Sequence, residues 1–321
     1  MTTTTTTHTL GRLHHVTAIA GDPARNVAFY EGLLGLRLVK QTVNFDDPSV
    51  HHLYYGDFTG SPGSILTFFP YAGARAGRHG VGQAEEIAFA VPPGSLGFWR
   101  DRLAAHGVAH ESSTRFGREV LSFKDHDGLM LEFVESEEAG QFQGLASEGI
   151  PAEHAVRGFD GVTLWLADVA PTAALLKDVL GYQSAAEEGA YTRLTHPGAG
   201  LGRHVTLRAA GGFWSGAMGA GVVHHVAFRA ADDAAQAAST QVLRGRGIAV
   251  TPQQDRNYFR STYFREPGGV LFEIATDDPG FAVDEPVQSL GATLKLPARY
   301  EAHRAAIEAG LPRLRGTELA A

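Results

Sequence analysis

Four times along the chain, an apolar β-branched run leads into a helical stretch and then into further strand-like runs. Such a repeat constrains the fold more than any single motif. Each copy is one supersecondary unit that must bury its apolar face against another copy. In the first copy, Leu13–Ala20 alternates and is rich in β-formers, which predicts a strand. Asp22 followed by Pro23 reads as an N-cap and first helical turn. That helix is expected to run to about Leu34 and stop at Gly35. Strands are expected over Leu36–Asn44, Val50–Gly56 and Ser64–Phe69, so the unit is β-α-β-β-β.

The second copy opens with the strand EEIAFAVP, continues through a helix over Ser95–His106, and closes with strands at Arg118–Lys124 and Leu129–Glu135. The third opens with GFDGVTLWLADV. A helix from Pro171 to about Leu180 follows, then strands near Tyr182–Ala186, Ala190–Thr195 and His204–Ala209. The fourth spans Val222–Thr276, with its helix at about Asp233–Arg246. The polar segment Ala139–Val156 is the expected domain boundary. The expected organisation is a flexible tail over 1–12, an N-terminal pair of modules over 13–140, a C-terminal pair over 157–276, and a tail with a helix near Ala298–Ala309 over 277–321. The fold class is α+β.

Composition removes several functions. The formal net charge of -8 argues against a non-specific nucleic-acid binder. No apolar run reaches the length of a membrane span, and MTTTTTTHTL has neither a basic region nor an apolar signal core. The cytoplasm is therefore the expected location. With no cysteine, thiolate chemistry and Cys-ligated metals are excluded, leaving His and carboxylate as strong ligands. The Gly-rich segment Ala210–Gly221 lacks the pattern and setting of a dinucleotide-binding turn. Its Phe213 and Trp214 are either loop anchors or a cover for an aromatic substrate.

The repeats can be laid over one another. At one first-strand position they carry His15, Glu86, Gly161 and His225, and at one last-strand position Glu132 matches Glu273. His15 and Asp22 are separated by the same interval as His225 and Asp232. Glu273 sits between Phe272 and Ile274, where a carboxylate is costly to bury without a positive partner. A metal ion shared with His225 and His15 is one such partner. A salt bridge to Arg256 or Arg265 is the plainer alternative. A rival site would use His15, Glu86 and Glu132. Strand neighbours point to opposite faces, so His14 and His224 cannot ligate beside His15 and His225. Each is either a hydrogen-bonded histidine behind the sheet or a support for the neighbouring ligand. His51 and His52 read as surface and core residues, with a pocket position open to one of them.

This pattern resembles the vicinal oxygen chelate superfamily, which includes glyoxalase I, extradiol ring-cleavage dioxygenases and antibiotic-resistance proteins. The residues Leu13-His14-His15, His224-His225, Arg256, Tyr263 and Glu273 are similar to those of its hydroquinone-type ring-cleaving subgroup. The resemblance implies four modules whose curved sheets pair to form a metal-containing cup, with the first module paired to the fourth. It implies His15, His225 and Glu273 as metal ligands, with Fe(II) expected and Mn(II) an alternative. Tyr263, Arg256, His224 and His14 would serve the chemistry, and Thr17, Arg256 and Tyr263 would face the substrate. The implied reaction inserts O2 into a hydroquinone or catechol-type aromatic ring. A glyoxalase-like isomerase or lyase would need a second carboxylate, and SILTFFP in the first module has none. A metal-free protein binding a small aromatic or drug is the non-enzyme alternative. The expected partners are a small aromatic and O2, with a homo-oligomer possible and neither nucleic acid nor membrane.

Overall fold

The computed structural model describes residues 10–315, so the start and end of the expected tails (1–9 and 316–321) lie outside the described residues. The first module contains β1 (Leu10–Ala20), α1 (Pro23–Val27), β2 (Arg37–Val43), β3 (His51–Gly56) and β4 (Ile65–Pro70). The second contains β5 (Gln83–Val91), α2 (Leu96–Ala105), β6 (His110–Arg115), β7 (Arg118–Lys124) and β8 (Met130–Glu135). The third contains β9 (Gly158–Leu166), α3 (Ala170–Asp178), β10 (Gln183–Glu188), β11 (Tyr191–Thr195) and β12 (His204–Ala209). The fourth contains β13 (Val222–Ala230), α4 (Asp233–Gly245), β14 (Gln254–Asp255), β15 (Arg260–Arg265) and β16 (Leu271–Thr276). A last helix, α5, covers Arg304–Gly310.

The strands form two eight-stranded sheets, ordered β14-β15-β16-β13-β1-β4-β3-β2 and β10-β11-β12-β9-β5-β8-β7-β6. Module one therefore joins module four, and module two joins module three. Each join is an antiparallel pairing of first strands: β1 with β13, and β5 with β9. Each sheet thus takes one module from each half of the chain. One apolar cluster draws on all four modules, including Val16, Phe68, Trp99, Phe133, Phe159 and Phe272.

Local chemistry explains the elements. Asp22 accepts from the Arg25 N–H at 2.9 Å, and Asp232 accepts from the Ala235 N–H at 2.8 Å. Both are N-caps, and their equal distance from His15 and His225 sets the same strand-to-helix exit twice. The first helix departs from a regular α-helix. It widens to a π-helix over Ala28–Leu33, where the Leu34 N–H bonds the Phe29 carbonyl. Gly35 then follows at φ 68, as the stop signal requires. Strand β6 is absent from the pattern reading because HESSTR carries no apolar residue. It is an edge strand with mostly exposed side chains, so pairing with β7 defines it.

The tail beyond β16 lies along β2, the free edge of the first sheet. Lys295 N–H donates to the Gln41 carbonyl at 2.9 Å, and Gln41 Nε2 donates to the Gly291 carbonyl at 2.5 Å. Gly291 has φ 77, and a Cβ there would lie 1.8 Å from the Leu38 carbonyl oxygen. This covering satisfies an edge that would otherwise present unpaired backbone groups.

Candidate metal centre and its pocket

Register brings the site together. Thr17 stands opposite His225 across the β1–β13 pairing. Ala227 stands beside Glu273, and Tyr263 stands opposite Glu273. His15, His225 and Glu273 thereby converge, and all three are buried. Nε2 of His225 lies 2.8 Å from Oε2 of Glu273, and Nε2 of His15 lies 3.3 Å from it. The two Nε2 atoms are 3.3 Å apart.

These separations suit a metal. Ligand atoms about 2.1 Å from an ion lie about 3.0 Å apart at right angles and about 3.4 Å apart at tetrahedral angles. Oε2 of Glu273 is also fully buried with no properly directed hydrogen bond, despite its closeness to the imidazoles. The other oxygen, Oε1, accepts a short hydrogen bond from Ser261 Oγ. One oxygen is therefore fixed by the protein and one is left pointing at the two histidines. Burial alone would raise the Glu273 pKa, but His15 and His225 hold it well below the usual carboxylate range. Neither arginine proposed as a salt-bridge partner reaches it. Arg256 bonds Tyr263 and Asp46, and Arg265 bonds the Gly269 carbonyl.

Supporting contacts repeat on both sides. Nδ1 of His14 faces Nδ1 of His15 at 2.9 Å, and Nδ1 of His224 faces Nδ1 of His225 at 2.7 Å. A ligating imidazole must keep Nε2 free of a proton, so its Nδ1 carries one and donates to the neighbour. Burial, with the adjacent histidine, lowers the pKa of His14 and pushes that of His224 down to about 3. Both are neutral imidazoles able to accept.

The three side chains border a cavity of about 610 Å³, within the range of small-molecule sites. Thr17, Tyr263, Arg256 and His224 line it; His14 does not. Arg256 Nε donates to the Tyr263 hydroxyl at 3.1 Å. Burial, then the Glu273 charge, raise the Tyr263 pKa well above its ordinary value, so the phenol keeps its proton at neutral pH. Phe213 and Trp214 do not line this cavity. Phe213 instead packs near Trp165 and Arg208 of the other sheet.

Sequence reasoning missed Ser261, Thr67 and the full part played by His52. Ser261 lies two residues before Tyr263, so strand alternation places both on one face. Thr67 stands beside Thr17 as Glu273 stands beside Ala227, so it takes the place of a second carboxylate. Its hydroxyl meets Thr17 Oγ1 at 2.8 Å and His52 Nε2 at 2.9 Å. His52 Nδ1 is in turn 2.8 Å from the Tyr54 hydroxyl. Of the His51–His52 pair, His52 faces the cavity, while His51 bonds the Pro312 carbonyl.

Residues 12–133 and 158–274 match the model of the Glyoxalase/Bleomycin resistance protein/Dioxygenase superfamily. The chain is 46% identical over 299 residues to "Putative ring-cleaving dioxygenase MhqO" of Bacillus subtilis, covering 93% of this chain and 95% of that one. It is 34% identical over 298 residues to chlorohydroquinone/hydroquinone 1,2-dioxygenase of Sphingobium indicum, covering 90% and 92%. A crystal structure of a "putative dioxygenase" from Bacillus subtilis superposes with a TM-score of 0.90 at 45% identity, covering 97% of this chain and 99% of that one. Maize glyoxalase I shares the fold at a TM-score of 0.60 and 14% identity, covering 83% and 92%. With paired first strands, two curved sheets and these relatives, the chain belongs to the glyoxalase/bleomycin resistance protein/dioxygenase superfamily.

Proposed function

We propose that this protein is a metal-dependent ring-cleaving dioxygenase acting on a hydroquinone or catechol-type aromatic. The observation that carries the reading is the buried convergence of His15, His225 and the free Oε2 of Glu273, with Thr67 where a fourth ligand would stand. Two histidines and one carboxylate form the facial ligand set of non-haem Fe(II) oxygenases, and Mn(II) accepts similar donors. Held by these residues, the metal would let ring electrons reach dioxygen. The Sphingobium relative, by its name a hydroquinone 1,2-dioxygenase, supports the substrate class.

The chain's own residues do the remaining work. Tyr263, protonated and held by Arg256, donates a hydrogen bond to a substrate oxygen and can pass it a proton. Arg256 keeps its charge at any working pH and favours an anionic phenol oxygen nearby. Phe69, Phe259 and His52 provide ring faces along the cavity wall. Thr17 lines the cavity and is held in place by Thr67. The glyoxalase-like alternative loses support from Thr67, which cannot replace a second carboxylate.

The test combines iron loading, metal analysis and an oxygen electrode with hydroquinone. The expected result is stoichiometric iron and substrate-dependent oxygen uptake, both lost in His225→Ala and Glu273→Ala while the fold persists by circular dichroism. Full metal occupancy in either variant would overturn the ligand assignment. Metal without oxygen uptake on hydroquinones or catechols would overturn the reaction.

A further inference from the structure

The cavity over the first sheet changes character along β1. His15, Thr17 and Ile19 alternate onto one face of the strand, and all three border the cavity. Going away from the metal ligand, the strand offers an imidazole, a hydroxyl and then an aliphatic chain. Ile19 stands about 7 Å beyond Thr17 along the strand. There it lies beside Phe69 of β4. Met218 shortly precedes Val222, which stands opposite Ile19. Tyr71 follows β4, and its hydroxyl accepts from Asn44 Nδ2 at 3.1 Å, so its polar tip is already engaged. Leu271 shares a face of β16 with Glu273. Phe69, Tyr71, Met218 and Leu271 all line the same cavity as Ile19.

None of these five side chains is sealed. Ile19, Phe69, Tyr71 and Leu271 are half-buried, and Met218 is 51% exposed. Together they form one apolar wall rather than scattered surface residues, and such a wall gains from an apolar cover. The polar groups enter from other elements: Asp46 from the β2–β3 connection, Arg256 from the β14–β15 connection, and Tyr263 from β15. Arg265, opposite Leu271, is exposed and donates to the Gly269 carbonyl at 2.8 Å. Size points the same way. A cavity of about 150 Å³ accommodates benzene. This one, at about 610 Å³, leaves room beyond a single ring.

We propose that the Ile19 end of the cavity is a subsite for a bulky apolar ring substituent. The substrate class is then a hydroquinone carrying an aryl group or an alkyl group of similar size. The inference rests on the ring-cleaving reading above. With a ring oxygen beside Tyr263 and Arg256, the substituent lies along Ile19, Phe69 and Leu271. It meets the Met218 thioether, a favourable neighbour for aromatic carbon.

Anaerobic calorimetric titration of the full chain, before and after iron loading, with hydroquinone and with phenylhydroquinone tests this. Without oxygen neither ligand is consumed. Phenylhydroquinone is expected to bind at least about tenfold more tightly, since the second ring takes on the order of 100 Å² of apolar surface out of water. Met218→Glu puts a charge at an exposed position, and Ile19→Thr keeps a β-branched shape but adds a hydroxyl. Each should cut the preference at least about threefold and leave hydroquinone affinity within about twofold. Met218→Glu stands as the independent variant if Ile19→Thr melts early. Equal binding of the two ligands would overturn the subsite, as would a preference undiminished in Met218→Glu. So would failure of phenylhydroquinone to bind the parent chain at millimolar concentration. In air, the preference without oxygen uptake would leave the subsite standing and remove the dioxygenase reading. Oxygen uptake with hydroquinone, and no gain from the phenyl group, would do the reverse.

Discussion

At the residue scale, the site is a set of imidazoles around one carboxylate. His14 and His224 reach their neighbours through Nδ1, which aims Nε2 of His15 and His225 at Glu273. Ser261 occupies the other oxygen of Glu273 and fixes its rotamer. In the proposed reaction, Tyr263 carries the proton, because its phenol is protonated and tied to Arg256. Tyr263→Phe is expected to keep full metal content and lower kcat by about 10²-fold. Metal analysis and single-substrate kinetics check this, and an unchanged kcat would reduce Tyr263 to a wall residue. Both paired histidines and Tyr263 were legible from the chain. Ser261 and Thr67 were not, because a lone hydroxyl residue in a strand carries no signal until its cross-strand neighbours are known.

At the scale of elements, the tail after β16 decides the shape of one cavity wall. Lys40 of β2 is fully buried. Its Nζ donates to Asp284 and Glu285 at 2.5 Å each and to the Phe281 carbonyl at 3.1 Å. Farther along, Arg299 and Tyr300 both donate to the carbonyl of Phe45, a residue that lines the metal-site cavity. Lys40→Met would leave a buried Glu285 with no cation. Loss of one partner from a buried pair typically costs about 3–5 kcal/mol. Denaturant unfolding should therefore show a loss of at least about 3 kcal/mol, with a weaker hydroquinone KM as the Phe45 wall loosens. A loss within the range of an ordinary surface substitution would show that the tail does not depend on this lysine. The sequence showed a helix near Ala298–Ala309 in this tail but not its bonds to β2, which run to residues some 240 positions earlier.

At the scale of the whole molecule, neither half of the chain owns a sheet. From the first half, β1 pairs with β13 and β5 pairs with β9 of the second half. The linkers Tyr71–Gly82 and Ala210–Gly221 run beside each other, with bridges at Ala76–Ala220, Arg78–Ala217 and Val81–Ser215. A chain cut within residues 144–156 should therefore give halves that bind no stoichiometric iron alone and recover it when co-expressed. Metal analysis of the purified halves and of the complex decides this; iron held by residues 1–143 alone would contradict it. The fourfold repeat, the helix caps, the strand alternation and the His-His and Glu positions were fixed by local sequence, because period, turn chemistry and residue type act over a few residues. The partner of each module, the role of the tail and the pairing of Arg115 with Glu132 in the second sheet were decided by tertiary structure. Those depend on which edges meet across two hundred residues, and on backbone approaches such as β12 against Gly161, where only a missing Cβ lets the strands pair.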